Sequence, residues 1–273
     1  GELAKSAKGK RKKELERIAE VCDWVPGHPA RSFHEALQTL LFCTLFIYWD
    51  HTPNGLSPGR VDQYLYPYYK KDIEVGKLSR EECIELLECF RCKLSSKRHF
   101  LDLLRRRDQA GETDFHNCTL GGVITNGEDA TNELSYLWIE AAMRTRTPHP
   151  TLSIRVHEKL SPDFALKAAE LCSLGLGFPA WFGDKTTIPY LLNKGCTLEE
   201  ARDYALAGCV LHSPQNKSAA TWSRNINVPK VFELALNDGV DPGSGRQLGP
   251  KTGRFEDMSY DELYEALKEQ LKY

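Results

Sequence analysis

The chain has 273 residues, 41% of them hydrophobic, enough to bury a sizeable core as one large domain or two ordinary ones. Its 36 Lys and Arg stand against 38 Asp and Glu, and the formal charge of −2 removes the electrostatic case for a nucleic-acid or acidic-membrane partner. Nine cysteines, odd in number and irregularly spaced, speak for a reducing, cytoplasmic setting rather than a disulfide framework.

The first twenty residues are charged and lack the apolar centre of a secretory signal; their basic run Lys8–Lys13, followed by acids, reads as a solvated helix face. Residues 3–22 carry apolar positions at helical spacing and end at Pro26-Gly27-His28-Pro29. A second helix is expected over roughly 30–49, with Phe33, Leu37, Leu40, Leu41 and Leu45 on its buried side. Its most apolar run, Leu40 to Trp49, is too short to span a bilayer. Thr52 to Gly59 must be a loop, and Ser79-Arg80-Glu81-Glu82 is a capping-box start for a helix reaching about Arg107. Cys89 and Cys92 form the one CxxC, read as a helix face because no second cysteine pair follows at zinc-ribbon distance.

From residue 111 onward the pattern changes. Strand-like text at Thr119–Thr125, Thr151–Val156, Pro179–Phe182 and Tyr204–Gly208 alternates with helical text at Ala130–Arg146, Pro162–Leu174 and Thr186–Arg202, the last broken at Gly195. That alternation predicts an α/β fold of parallel βα units with four neighbouring strands and active groups at the strands' carboxyl ends. The expected division is a mainly helical portion over 1–110 and a βα portion over 111–273. Two further helices are expected over Val228–Asn237 and Tyr260–Leu271; the chain then stops inside a helix with no cap, which reads as a fragment.

The stretch that organises this text is Tyr204–Lys217, where a short apolar strand passes through Gly208 and delivers Cys209 into a loop. Taken alone, Cys209 is more readily a small core hydrophobe than a reactive residue. Its surroundings are more specific. Ile188–Val210, Val228–Asp241 and Gln247–Gly253, with Ser57–Tyr69, Asp129–Tyr136 and Gly175–Ala180 upstream, resemble the glycyl radical enzymes, the pyruvate formate-lyase-like superfamily, from about Pro29 onward.

The resemblance implies part of a ten-stranded α/β barrel with surrounding helices, and a thiyl radical on Cys209. It further implies a glycyl radical lying outside this chain, installed by a radical S-adenosylmethionine activase. No Arg-Val-x-Gly-Tyr type motif for that glycine occurs here, so the chain by itself is expected to be inactive. Members that dehydrate, eliminate or decarboxylate carry Gly-Cys-Val-Glu-Pro, whereas here Leu211 stands in the place of the Glu and cannot move a proton. That departure favours the fumarate-adding branch, typified by benzylsuccinate synthase, with fumarate and a hydrocarbon such as toluene as substrates. In that reading Gly208, Val210 and Leu211 border the site, Arg224 holds a fumarate carboxylate through its planar fork, and Phe100 walls the hydrocarbon pocket. His212 has no required role in such an addition, and Trp222 reads as packing. The partners implied are the activase, a second copy of the chain and small accessory subunits, with no metal. The alternatives left open are another glycyl radical lyase of the dehydratase, decarboxylase or formate-lyase type, and an inactive scaffold piece.

Overall fold

The computed structural model describes residues 1–51, 55–96, 116–215, 217 and 226–272. It falls into two compact units, Gly1–Ala220 and Thr221–Tyr273.

The first unit opens with helices α1 (Glu2–Ser6), α2 (Gly9–Trp24), α3 (Phe33–His51), α4 (Val61–Tyr64), α5 (Tyr66–Glu74) and α6 (Arg80–Ser95). The capping box expected at Ser79 is present. The Ser79 hydroxyl accepts from the Glu82 N–H at 3.2 Å, and the Glu82 carboxylate accepts from the Ser79 N–H at 2.8 Å, so two otherwise orphaned donors are satisfied. Cys83, Ile84, Leu87, Phe90 and Leu94 fall on one face of α6 and are all buried, as 3.6-residue spacing requires. On α3, Phe33 and Leu37 are buried, while Leu40, Leu41 and Leu45 are half-buried. Among the described residues no helix is long and apolar enough to cross a membrane.

Three strands follow, β1 (Asn117–Gly121), β2 (Thr151–Val156) and β3 (Ala180–Gly183), separated by α7 (Glu133–Thr145) and α8 (Pro162–Ser173). They pair in parallel in the order β1-β2-β3, with Cys118 opposite Leu152 and Ile154 opposite Trp181. Every residue of β1 is buried, the pattern of a parallel strand covered on both faces. Leu120, Leu152 and Ile154 share one apolar core with Leu87 and Phe90 of α6 and Leu134, Leu137 and Trp138 of α7. There the Phe90 ring meets the Trp138 ring edge-on at 5.8 Å.

The helical text over 186–202 is indeed interrupted, giving α9 (Asp184–Asn193) and α10 (Leu198–Arg202). The fourth strand departs from expectation. Rather than joining the parallel sheet, β4 (Tyr204–Ala207) turns back and pairs antiparallel with β5 (Leu211–Pro214), Leu206 facing His212. A three-residue turn with Gly208 at φ +57° makes this return. The described residues thus hold two partial sheets, and the ten-stranded barrel stays an expectation.

In the second unit α11 (Val228–Leu236) and α12 (Tyr260–Lys272) pack together. Between them the chain is tied by Gln270, whose amide donates to the Pro250 carbonyl at 2.7 Å.

Candidate functional site

Cys209 lies at the tip of the β4–β5 hairpin, flanked by Gly208, Val210 and Leu211. Cys209 is exposed, and so are Val210 and Leu211, at 54% and 45%. Four of the sequence-derived site residues therefore stand together on one turn. Phe100 and Arg224, with Trp222, lie outside the described residues.

Two sets of polar contacts hold the hairpin against β1 and β2. At its base, Arg155 of β2 is fully buried. Its Nε and Nη2 donate to the two carboxylate oxygens of Asp184 at 2.9 and 2.8 Å, and its Nη1 donates to the Arg202 and Tyr204 carbonyls at 2.8 and 3.0 Å. The guanidinium also lies 3.9 Å from the centre of the Tyr204 ring, whose hydroxyl donates to Asp184 at 2.8 Å. Burial, outweighing the nearby Arg155 charge, pushes the Tyr204 phenol up. A second buried cation, Arg60, donates to Asp203 at 2.7 Å and to the Gly121 and Val123 carbonyls at 2.9 and 3.1 Å. Burial lowers its pKa, yet so basic a group keeps its charge at neutral pH.

Along the hairpin, the Leu206 N–H donates to the Thr119 hydroxyl at 2.9 Å, and the Asn117 amide donates to the Cys209 carbonyl at 3.4 Å. Leu206 therefore sits beside Thr119, and Cys209 beside the first residue of β1. The hairpin's first strand runs against the parallel sheet and carries Cys209 to the amino end of β1. Cys209, expected at the carboxyl end of a fourth parallel strand, thus lies elsewhere, and the physical reason is the reversal of β4.

His212 of β5 packs on Phe182 at 5.3 Å and on Tyr204 at 5.7 Å, and Tyr204 in turn belongs to a small apolar cluster with Leu206, Leu191 and Ala201. Burial lowers its pKa, so the imidazole is neutral at neutral pH. Among the described residues nothing is hydrogen-bonded to the Cys209 sulfur, and no group of three His, Cys, Asp or Glu could hold a metal. A nucleophilic cysteine calls for a cation or helix amino terminus at the thiol. The geometry here offers instead a thiol on an apolar tip whose backbone is fixed.

The sequence reading singled out the tip but not Ser57, Arg60, Asn117, Thr119, Arg155, Asp184 or Asp203, which hold it. One signal was available: an arginine in the otherwise apolar and hydroxylic strand Thr151–Val156 must find a buried anion.

The pyruvate formate lyase-like family model matches residues 1–273. Trans-4-hydroxy-L-proline dehydratase of Clostridioides difficile is 34% identical over 96% of the chain and 34% of its own length. The 4-hydroxyphenylacetate decarboxylase glycyl radical subunit of Clostridium scatologenes is 34% identical over 96% of the chain and 31% of its own length. Among solved structures, one for 1,2-propanediol dehydration in Roseburia inulinivorans superposes with a TM-score of 0.93 at 37% identity, covering 100% of the chain and 34% of that protein. The chain thus spans about a third of the length of these relatives. They are dehydrating and decarboxylating proteins, which leaves the expected fumarate addition without support from them. With the family model matched along the whole chain and these relatives sharing its fold, the chain belongs to the pyruvate formate lyase-like, glycyl radical enzyme superfamily.

Proposed function

We propose that the full-length protein containing this chain is a glycyl radical lyase that breaks a carbon–oxygen or carbon–carbon bond of a small polar substrate, with Cys209 as its hydrogen-atom relay. The hairpin carries the reading: it presents a thiol at an apolar tip while fixing the backbone on both sides of that residue. The dehydrating and decarboxylating relatives supply the substrate class.

A glycyl radical on another part of the protein, installed by a separate activase, supplies the unpaired electron. Cys209 gives up the hydrogen atom of its S–H bond, and its sulfur then takes a hydrogen atom from a substrate carbon, re-forming S–H. The substrate radical loses water or carbon dioxide and recovers a hydrogen atom from Cys209, and the resulting thiyl takes the hydrogen atom back from the glycyl carbon, so both the thiol and the glycyl radical are restored over a cycle. Exposed here, the apolar Val210 and Leu211 would line a dry cavity once the rest of the full-length protein covers the tip, which protects the radical from quenching. Hydrogen transfer needs contact distance, so fixing the tip is the hairpin's contribution to rate.

One observation favours a second reading. Leu211, two residues after Cys209, is apolar and exposed at the same tip, and can neither donate nor accept a proton. Addition of a hydrocarbon radical to fumarate requires no acid or base there. In that reading Arg224 holds the diacid, and Arg224→Lys raises the apparent fumarate KM by about tenfold to a hundredfold, the cost of losing a charge-assisted fork.

The test is anaerobic incubation of the activated full-length protein with 1,2-propanediol, trans-4-hydroxy-L-proline or 4-hydroxyphenylacetate, and separately with toluene and fumarate. The first reading predicts a dehydrated or decarboxylated product from the first set. Benzylsuccinate from the second mixture, with nothing from the first set, replaces it with the second reading.

A further inference from the structure

The segment Gly55–Arg60 lies between β1 and the cysteine hairpin and touches both. On the β1 side, His116 Nδ1 pairs with the Leu56 carbonyl, and the Thr119 N–H donates to the Gly59 carbonyl at 2.9 Å. On the hairpin side, the Arg60 N–H donates to Gln215 at 3.4 Å, where the chain leaves β5. At the tip, one atom joins all three layers. The Ser57 hydroxyl oxygen accepts the N–H of Gly208 at 2.8 Å and the N–H of Asn117 at 3.1 Å.

We infer that Ser57 is the positioning residue of the radical cysteine, a role that rests on the reading of Cys209 as the hydrogen-atom relay. The residue before Cys209 is tied through its N–H to Ser57, and Cys209 itself is tied through its carbonyl to Asn117. Asn117 is 2% exposed, and its Oδ1 is buried with no hydrogen-bond partner among the described residues. The amide has therefore given up pairing at one end while its other end reaches the Cys209 carbonyl. Gly208, in the left-handed region, also packs near the backbone of Gly55, whose Cα and O lie 3.7 Å from where a Cβ on Gly208 would stand. Ser57 is separable from the rest of its segment, because the Leu56 and Gly59 carbonyl contacts bind that segment to β1 without it. Removing its hydroxyl leaves the scaffold in place and frees the turn.

The step at stake balances simply: the S–H bond of Cys209 breaks, a C–H bond forms on the glycyl carbon, and the unpaired electron passes to sulfur; the reverse restores the thiol. Thiol hydrogens exchange with solvent. In D2O the relay thus loads deuterium onto the glycyl carbon and collapses the hydrogen splitting of its paramagnetic resonance signal, with no substrate needed. The experiment follows that collapse in the activated full-length protein and in Ser57→Ala, Ser57→Thr, Ser57→Val and Cys209→Ser.

Ser57→Ala is expected to carry the parent's radical content but to exchange more slowly by on the order of ten to a hundredfold, the scale on which misplacement by about an ångström acts. Ser57→Thr restores the rate, while Ser57→Val, its near-isostere without the hydroxyl, does not; this pair decides the question if the alanine variant folds poorly. Parent-rate exchange in Ser57→Ala, or equal rates in the threonine and valine variants, overturns the positioning role. Parent-rate exchange in Cys209→Ser overturns the relay reading beneath it.

Discussion

The parallel sheet and the cysteine hairpin are neighbours built on opposite principles. In β1 and β2 the residues that matter are Leu120, Leu152 and Ile154, set among Leu134, Leu137 and Trp138. Their attraction is non-directional and proportional to area, so it fixes which face is buried more firmly than it fixes any atom. The hairpin has only the small cluster of Leu191, Ala201, Tyr204 and Leu206, and it is placed by directional bonds from Arg155, Asp184, Arg60, Thr119, Asn117 and Ser57. A fold can be held by burial alone, but aiming the backbone of one turn needs bonds with angles.

That contrast can be broken most forcefully at Arg155. Its carboxylate partner Asp184 is also buried, so Arg155→Met strands a charge and is expected to cost about 3–5 kcal/mol in denaturant unfolding. The double variant Arg155→Met with Asp184→Leu should recover much of the stability but not the hairpin's placement, read as lost turnover in a folded protein. Thr119→Val comes next. It keeps the shape of β1 but leaves the Leu206 N–H unpaired, for about 1–3 kcal/mol. On the sheet side, Ile154→Val should cost only about 0.5–1.5 kcal/mol and leave turnover near the parent value. A loss of turnover in Ile154→Val as large as in Thr119→Val would erase the distinction.

The smallest effect concerns Asp62, fully buried beneath the end of β1, where its carboxylate accepts from the Gly121 N–H at 2.7 Å and the Ser135 hydroxyl at 2.5 Å. Burial raises its pKa above the usual carboxylate range, outweighing those hydrogen bonds. A raised folded pKa means that the stability this group contributes is full below the unfolded pKa and is lost as pH rises through the folded one. Asp62→Asn should therefore gain on the parent as pH rises from acid to neutral, read as the difference in thermal midpoint. A constant difference over that range would mean that Asp62 does not change charge there.

Much of this was legible in the residues. Strand–helix alternation after residue 111, the capping box at Ser79 and the break near Gly195 are local signals, and each stands in the structure. The direction of β4 was not legible, because Tyr204–Ala207 is equally apolar whether it extends a parallel sheet or turns back across it. Leu211–Pro214, within the loop expected after Cys209, is instead a strand that tolerates Pro214 at its end. The tip residues came from resemblance, and their supports were invisible because Ser57, Asn117 and Arg155 lie far from Cys209 in the chain. Long-range polar bonds leave no period in a sequence.

The most direct measurement is made on the activated full-length protein with Cys209→Ser. The glycyl radical signal is expected at the parent's level while no product forms from any substrate the parent converts, because an O–H bond is a far poorer hydrogen relay than S–H. Product formation at the parent's rate in the serine variant would contradict the relay role and reduce Cys209 to an exposed turn residue.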